Sequence, residues 1–500
     1  MIAGRKVHGE LIINIGFAVI KLAALVYVIR LAAAAFPPEA LGVFLLARRL
    51  ASTVANLMQL GSSQTLLRYL PMATSAGARR RYVMVACALW ISVGTLVLAA
   101  LLPARSMVAA WAFPGLAGGP ELAAWAAVLA VVTVLEFVVC TSFLAERRLV
   151  PANTLEVMSV SGFLLLGLMW PIGALTPTSL LRFQSLAVLL LCIAAGVAWL
   201  RLSRRQDLEP DAPPAWAQTA RTFVAYGLPR GAITGLDVAI ITIGPWLLRT
   251  QPAQAGYLLV ALMIVQVIQA ALGPITQIAS ILAANFVGRG EMARLKEEVQ
   301  LLLGGTLYAA TLALAVLVPW SAHLFAFWLR DPELIAGVQY YFAWLAWGIL
   351  PIALFHALRG IIEMRWFAPW NLYTLLSAAA VQLLVYALGR EFLGETAAVR
   401  AAVLTTFLTL GGLTLAWLDT SWWRPLRYWG IGRLIGVGVA VGLVNRLLAE
   451  QPGLLEVLLG LALSTAIVLA GLVMWPSPPA IRAMRTFLSS RSGLERAGRS

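Results

Sequence analysis

The sequence predicts an all-α polytopic membrane protein of about fourteen transmembrane helices, set out as two pseudo-symmetric six-helix bundles plus two C-terminal helices. Three observations predict it. Hydrophobic residues make up 61% of the 500 positions and charged residues only 12%, about half the charged share of a soluble chain, and the mean hydropathy is +0.86. Apolar stretches of about 20 residues, the length that a hydrocarbon core of about 30 Å demands, recur along the chain. Strand-type alternation is absent, and lipid cannot satisfy the open edge of a sheet, so the stretches are read as helices.

The spans fall at roughly 11–31, 41–61, 82–102, 122–144, 152–172, 180–200, 222–247, 256–283, 299–320, 334–357, 369–388, 398–418, 430–448 and 454–475. The first, opening near Leu11, is too long for the apolar region of a cleavable signal. Six spans occupy 1–200 as an N-terminal bundle. A polar segment at 201–221, carrying Arg204, Arg205, Glu209, Pro210, Pro213 and Pro214, reads as a linker to a second six-helix bundle at 222–418. Two additional helices follow at 419–475, then a basic tail at 476–500. In the tail, Ile481, Met484, Phe487 and Leu488 either line one stripe of a helix on the inner leaflet or belong to a solvated coil.

Basic residues orient the chain. With the N-terminus in the cytoplasm, 24 of the 37 Arg and Lys residues lie in inner segments and 8 in outer ones, as the positive-inside rule requires. An even number of spans then puts both termini in the cytoplasm, with the protein in the cytoplasmic (inner) membrane. The two halves also echo one another. Leu41-Gly42-Val43-Phe44 opens the second span and Ala255-Gly256-Tyr257-Leu258 the eighth, and basic turns around Arg79 and Arg289 follow them. Parallel repeats of this kind are a transporter pattern, with the site expected where the repeats meet.

Composition excludes several functions. The net charge of +15 sits in short turns between apolar runs, not along a nucleic-acid-binding stripe. Cys87, Cys140 and Cys192 lie inside apolar runs with no metal-ligand spacing, so no metal is expected. No phosphate-binding loop occurs in a chain with three lysines. His8, His323 and His356 are scattered and read as ordinary interfacial residues.

The informative residues are the polar ones inside spans, which by default face a cavity or a partner. Lys21, Arg48, Arg49 and Arg230 are cations spread over the depth of the bilayer, whereas Glu136 and Asp237 are read as the only carboxylates near mid-depth. Two acids cannot neutralise four bases, and a net buried charge needs a ligand or water. Helical spacing places Arg48, Ser52, Asn56, Gln59 and Ser63 on one face of the second span, and Arg230, Thr234 and Asp237 on one face of the seventh. The eighth span carries Gln266, Gln269, Gln277 and Ser280 on a stripe. These stripes predict a water-filled cavity, with Lys21, Arg48, Arg49 and Arg230 binding an anionic substrate and Ser52, Asn56, Gln59, Thr234, Gln266, Gln269 and Gln277 lining its path. The stripe Asn371, Thr374, Gln382 on the eleventh span reads instead as a helix–helix seam.

Several of these residues carry a resemblance to a known family. Arg30-Leu31, Pro38-Glu39-Ala40-Leu41-Gly42 and Leu60-Gly61 with Leu67-Arg68-Tyr69-Leu70-Pro71 resemble the first two spans of polysaccharide (Wzx-type) flippases. Leu228-Pro229-Arg230 with Asp237 and Ala255-Gly256-Tyr257 resembles the opening of their second half. The family belongs to the superfamily of MATE drug exporters and the lipid II flippase. This chain departs from its pattern at Arg30-Leu31-Ala32, with extra alanines before Pro37. The resemblance implies alternating access between two bundles, a cationic cavity gripping the pyrophosphate of a polyprenyl-linked oligosaccharide, and a C-terminal helix pair shaping a groove for the polyprenyl tail. It implies membrane lipid and other polysaccharide-assembly proteins as partners, no enzymatic activity, and no cofactor beyond a coupling proton or sodium ion, for which Glu136 and Asp237 are the candidates. Two rivals remain from the residues alone: a MATE-like, cation-coupled drug exporter, and a polytopic glycosyltransferase or ligase. The external loop at 103–121 holds only Arg105 and Glu121 as charges, too little for a catalytic acid pair.

Overall fold

The computed structural model describes residues 2–71, 73, 75–170, 174–204, 215–365, 369–418, 431–449, 459–460, 462–464 and 466–467. Each span read from 11–31 to 430–448 falls on a helix. These are α1 (Ile2–Ala35), α2 (Pro38–Met58), α4 (Ala76–Leu101), α6 (Gly119–Ala145), α7 (Leu149–Val157) continuing into α8 (Phe163–Met169), α9 (Pro177–Arg204), α10 (Trp216–Leu247), α11 (Pro252–Gly288), α12 (Met292–Trp328), α13 (Pro332–Arg365), α14 (Trp370–Leu393), α15 (Glu395–Trp417) and α16 (Ile431–Ala449). Two short helices were not foreseen, α3 (Ser62–Tyr69) and α5 (Arg105–Ala112). Among the described residues, 11 helices are long and apolar enough to cross a membrane, and shorter apolar stretches at Pro252–Val267 and Gly436–Ala449 add to them. Most of the fourteenth expected span, residues 205–214 of the 201–221 linker and the 476–500 tail lie outside the described residues.

Local chemistry explains the helix ends that matter. Pro38 stands in the first turn of α2, where its missing N–H costs nothing, and Glu39 beside it suits the positive end of the helix dipole. The second span was read to 61, but α2 stops at Met58 because Leu60 (φ 46) and Gly61 (φ 74) turn left-handed. That elbow reverses into α3, and glycine carries the second of the two positions without steric cost.

Contacts divide the chain into two compact units. The first comprises Met1–Val267, Leu329–Tyr341 and Ala379–Val403, and the second Ile268–Trp328, Phe342–Ala378 and Leu404–Ser500. The first therefore takes in α10 and the start of α11, beyond the six spans expected before residue 201. Glycine is the reason. Gly227 and Gly231 of α10 lie against the backbone of Leu60 and Gly61, and Gly235 lies under Leu57, so any side chain there would collide. Gly42 of α2 meets the backbone of Pro252 and Gly256 of α11 in the same way. The two segments that echo each other in sequence thus touch through their glycines. Three polar ties bind the outlying pieces to this unit: Tyr257 donates to Glu333 (2.9 Å), Tyr341 to Gln254 (3.0 Å) and Gln251 to Glu395 (2.7 Å).

At the centre of the first unit stands α6, apolar all round and 72% buried over its span window, as expected of a helix enclosed by others. It packs against α2, α4, α5 and α9. Its neighbours supply Leu66, Val83, Ala86, Val188, Trp199 and Phe223 to a common core. In the second unit, Leu295, Val299 and Leu303 of α12 pack with Leu354, Leu358, Ile361 and Ile362 of α13 and with Leu418, and α12 runs along α16.

Candidate functional site

The α7–α8 span is interrupted by one π-helical turn at Met158–Gly162. Such wide turns displace backbone carbonyls from the regular ladder and concentrate at functional sites. Here the displaced carbonyl of Val160 accepts from Arg48 Nη2 at 2.9 Å. Around this turn the first unit holds a cavity of about 240 Å³. Its polar wall is Arg48, Arg49 and Ser52 from α2, Thr133 and Glu136 from α6, Ser159 and Val160 from the π turn, Gln184 from α9 and Gln266 from α11. Leu25, Leu45, Leu129, Leu259 and Met263 complete it.

The structure places both Arg48 and Arg49 on the wall. Each is held by one side. Arg48 is tied to the π turn, whereas Arg49 reaches α10, donating from Nε to Thr242 Oγ1 (3.0 Å) and from Nη2 to the Val238 carbonyl (3.2 Å). Thr53 meets the same Thr242 hydroxyl at 2.7 Å, and Asp237 on α10 exerts an electrostatic pull on Arg49. Glu136 is 5% exposed and accepts a 2.5 Å hydrogen bond from Ser159 Oγ. Gln184 Nε2 donates to the Ser159 carbonyl at 2.9 Å, while its Oε1 is buried without a protein partner.

Of the residues singled out in the sequence, Arg48, Arg49, Ser52, Glu136 and Gln266 therefore meet at one cavity. Others do not. Asn56 and Gln59 are buried in a chain of their own, Asn56 Nδ2 to the Ser52 carbonyl, Gln59 Nε2 to Asn56 Oδ1, and Ser63 to Gln59 Oε1. Thr234 takes a hydrogen bond from Gln64 at 2.8 Å. Arg230 folds back along its helix, its Cζ 3.9 Å from the Tyr226 ring centroid. The side chains of Gln269 and Gln277 lie outside the described residues.

One reading needs correction. Glu136 and Asp237 are not the only carboxylates inside the expected spans: Glu156 on α7 lies within 152–172 and binds Lys21 Nζ at 2.6 Å. Lys21 is thus neutralised by a neighbour. The signal is present in the sequence, a carboxylate four residues into an apolar run with Ser159 one turn on. The π turn, Ser159, Gln184 and Thr133 were also missed. A π turn leaves no periodic signature, and a single Thr or Gln in an apolar helix is too common to point anywhere.

The long apolar helices define a multi-pass membrane protein, and its fold is like that of solved MATE and MurJ structures. No family model matches the sequence, and no curated protein matches it. Solved structures do. A multidrug resistance MATE family transporter of the MOP superfamily, in an inward-facing conformation, shares 15% identity over 82% of this chain and 99% of its own, with a TM-score of 0.54. The lipid II flippase MurJ, in an inward closed conformation, aligns at 9% identity with a TM-score of 0.65, covering 91% of this chain and 98% of that one. A MOP superfamily transporter from Pyrococcus furiosus, described by the reverse polarity of its binding pocket, aligns at 12% identity and a TM-score of 0.53, over 82% of this chain and 92% of its own.

Proposed function

We propose that the protein is a flippase of the cytoplasmic membrane, translocating an anionic polyprenyl-pyrophosphate-linked oligosaccharide by alternating access for cell-surface polysaccharide assembly, with both termini in the cytoplasm. One observation carries the reading: the charged groups on the cavity wall are two guanidiniums and a single carboxylate. Guanidinium donors in a fixed fork suit phosphate oxygens, and a low-dielectric wall strengthens the attraction. Arg48 and Arg49 hold the pyrophosphate, Ser52, Gln184 and Gln266 contact it or the first sugar, and Arg230 and Lys21 act nearer the cavity's approaches. Other polysaccharide-assembly proteins deliver and take up the substrate.

Translocation against a gradient needs a source of free energy, and the membrane potential supplies about 2.3 kcal/mol per elementary charge per 100 mV. Glu136, on the wall, and Asp237, acting on Arg49, are the candidates to take a proton or sodium ion. Asp237 would compete with substrate for Arg49, a different pairing from the Arg230 partnership that helical spacing alone suggested.

A cation-coupled drug exporter is the second reading, favoured by the buried Glu136 on the same wall. Reconstituted vesicles separate the two. Arg48→Ala should cut transport of a polyprenyl-pyrophosphate-linked saccharide by about tenfold or more, the worth of one charge-assisted contact. Uptake of an organic cation that is abolished by Glu136→Gln and unaffected by Arg48→Ala would favour the exporter.

A further inference from the structure

The strongest cluster outside the cavity is a pair of arginines on one tyrosine. Arg68 ends α3 and Arg230 lies in α10, and their guanidinium carbons sit 4.6 Å and 3.9 Å from the centroid of the same Tyr226 ring. The two cations are therefore no further apart than those distances laid end to end. Among the described residues no carboxylate forms an ion pair with either. Tyr69 meets Tyr226 edge-on at 5.5 Å and Tyr82 stacks on Tyr69 at 5.9 Å, so the arginines stand at one end of a run of rings.

The platform is built rigidly. Gly61, at the start of α3, rests on the backbone of Gly227, and Gln64 of α3 donates to Thr234 of α10. A ring face attracts each cation only weakly at an exposed site. It does not cancel the repulsion between two like charges, which an anion bridging them would relieve. Arg68 is exposed, so such an anion can reach it. By the positive-inside reading this end of α3 and α10 faces the cytoplasm, where a lipid-linked substrate would be presented.

We propose that Arg68, Arg230 and Tyr226 form a loading site for the diphosphate group of the substrate at the cytoplasmic mouth, separate from the Arg48–Arg49 cavity, with the hydroxyls of Tyr69 and Tyr82 offered to the adjoining sugar. The proposal rests on the flippase reading for its direction of loading, but its site is tested independently.

The test is calorimetric titration of the full-length protein in nanodiscs of zwitterionic lipid with geranyl diphosphate, reading stoichiometry. Wild type should take up two equivalents, and Arg68→Ala one. The Arg48→Ala/Arg49→Ala double variant should lose the other. Arg68→Lys should keep both, with a several-fold weaker second site, because a point charge replaces the fork. Uptake of two equivalents by Arg68→Ala overturns the loading site and leaves the cavity reading intact. One equivalent in wild type, lost in Arg68→Ala, supports the loading site and overturns the cavity. One equivalent that survives Arg68→Ala overturns the loading site, and no uptake by wild type overturns both. A role confined to bracing α3 would show as a lower melting temperature of Arg68→Ala with unchanged stoichiometry, which also overturns it.

Discussion

Two polar clusters, one in each unit, are buried in different ways. In the second, Asn445 of α16 uses its whole side chain on protein: Nδ2 donates to the Val441 carbonyl and to Ser464, and Oδ1 accepts from Trp320 at 2.7 Å. Trp417 likewise donates to Thr374 while stacking on Trp370 at 4.1 Å between centroids. In the first unit, Arg48, Arg49, Glu136 and Gln184 converge on a cavity instead, each with one side held and capacity to spare. Both patterns look alike in sequence, as polar residues at helical spacing in apolar spans. What separates a seam from a site is whether the protein closes the hydrogen bonds itself. Closed groups should govern stability, and open groups should govern transport.

The largest expected effect lies where the first unit is tightest. A side chain at Gly231 would run into the backbone of Leu60 and Gly61, so Gly231→Leu should leave no folded protein, measured as loss of the monodisperse peak in detergent chromatography. Overpacking a close crossing forces backbone shifts. Normal recovery would show that α10 does not need its close approach to the α2–α3 elbow.

Next comes the ion pair that the first unit does close. Glu156→Gln strips Lys21 of its charge partner and should lower the melting temperature. The Lys21→Met/Glu156→Met double variant should recover most of the loss, because removing both members of a pair avoids an uncompensated charge. Transport by the double variant near the wild-type rate would class Lys21 with the closed groups. Failure of the double variant to recover stability would show that Lys21 has another role.

The smallest effect belongs to the second unit. Asn445→Ala should cost about 0.6–1.7 kcal/mol of stability, the range of interhelical hydrogen bonds in membranes, read in a denaturation series, and leave transport unchanged. A loss of transport without a loss of stability would break the contrast between the units.

Periodicity and charge made the architecture legible. Apolar runs marked the helices because only a continuous helix satisfies its backbone in lipid, and Arg48, Arg49, Ser52, Glu136 and Gln266 stood out because polarity in a span is costly. The seam at Asn371 and Thr374 was legible for the same reason, and Asn371 does donate to the Arg359 carbonyl and Glu363. What spacing could not reveal was rotation and interruption. Arg230 and Thr234 share a face with Asp237 in projection, but Tyr226 and Gln64 claim their side chains first. Gln59 keeps its helical register just before the left-handed elbow, but Asn56 and Ser63 take up its amide. The π turn that gives Arg48 its carbonyl partner packs against α1 and α9, and no local pattern records it.

The central claim is that the open cations of the first unit carry an anionic substrate. It is tested most directly by measuring transbilayer movement of a polyprenyl-pyrophosphate-linked saccharide in reconstituted vesicles, with Arg48→Ala and Asn445→Ala side by side. The account predicts a fall of about tenfold or more for Arg48→Ala at unchanged melting temperature, and a wild-type rate for Asn445→Ala. A wild-type rate from folded Arg48→Ala would contradict it.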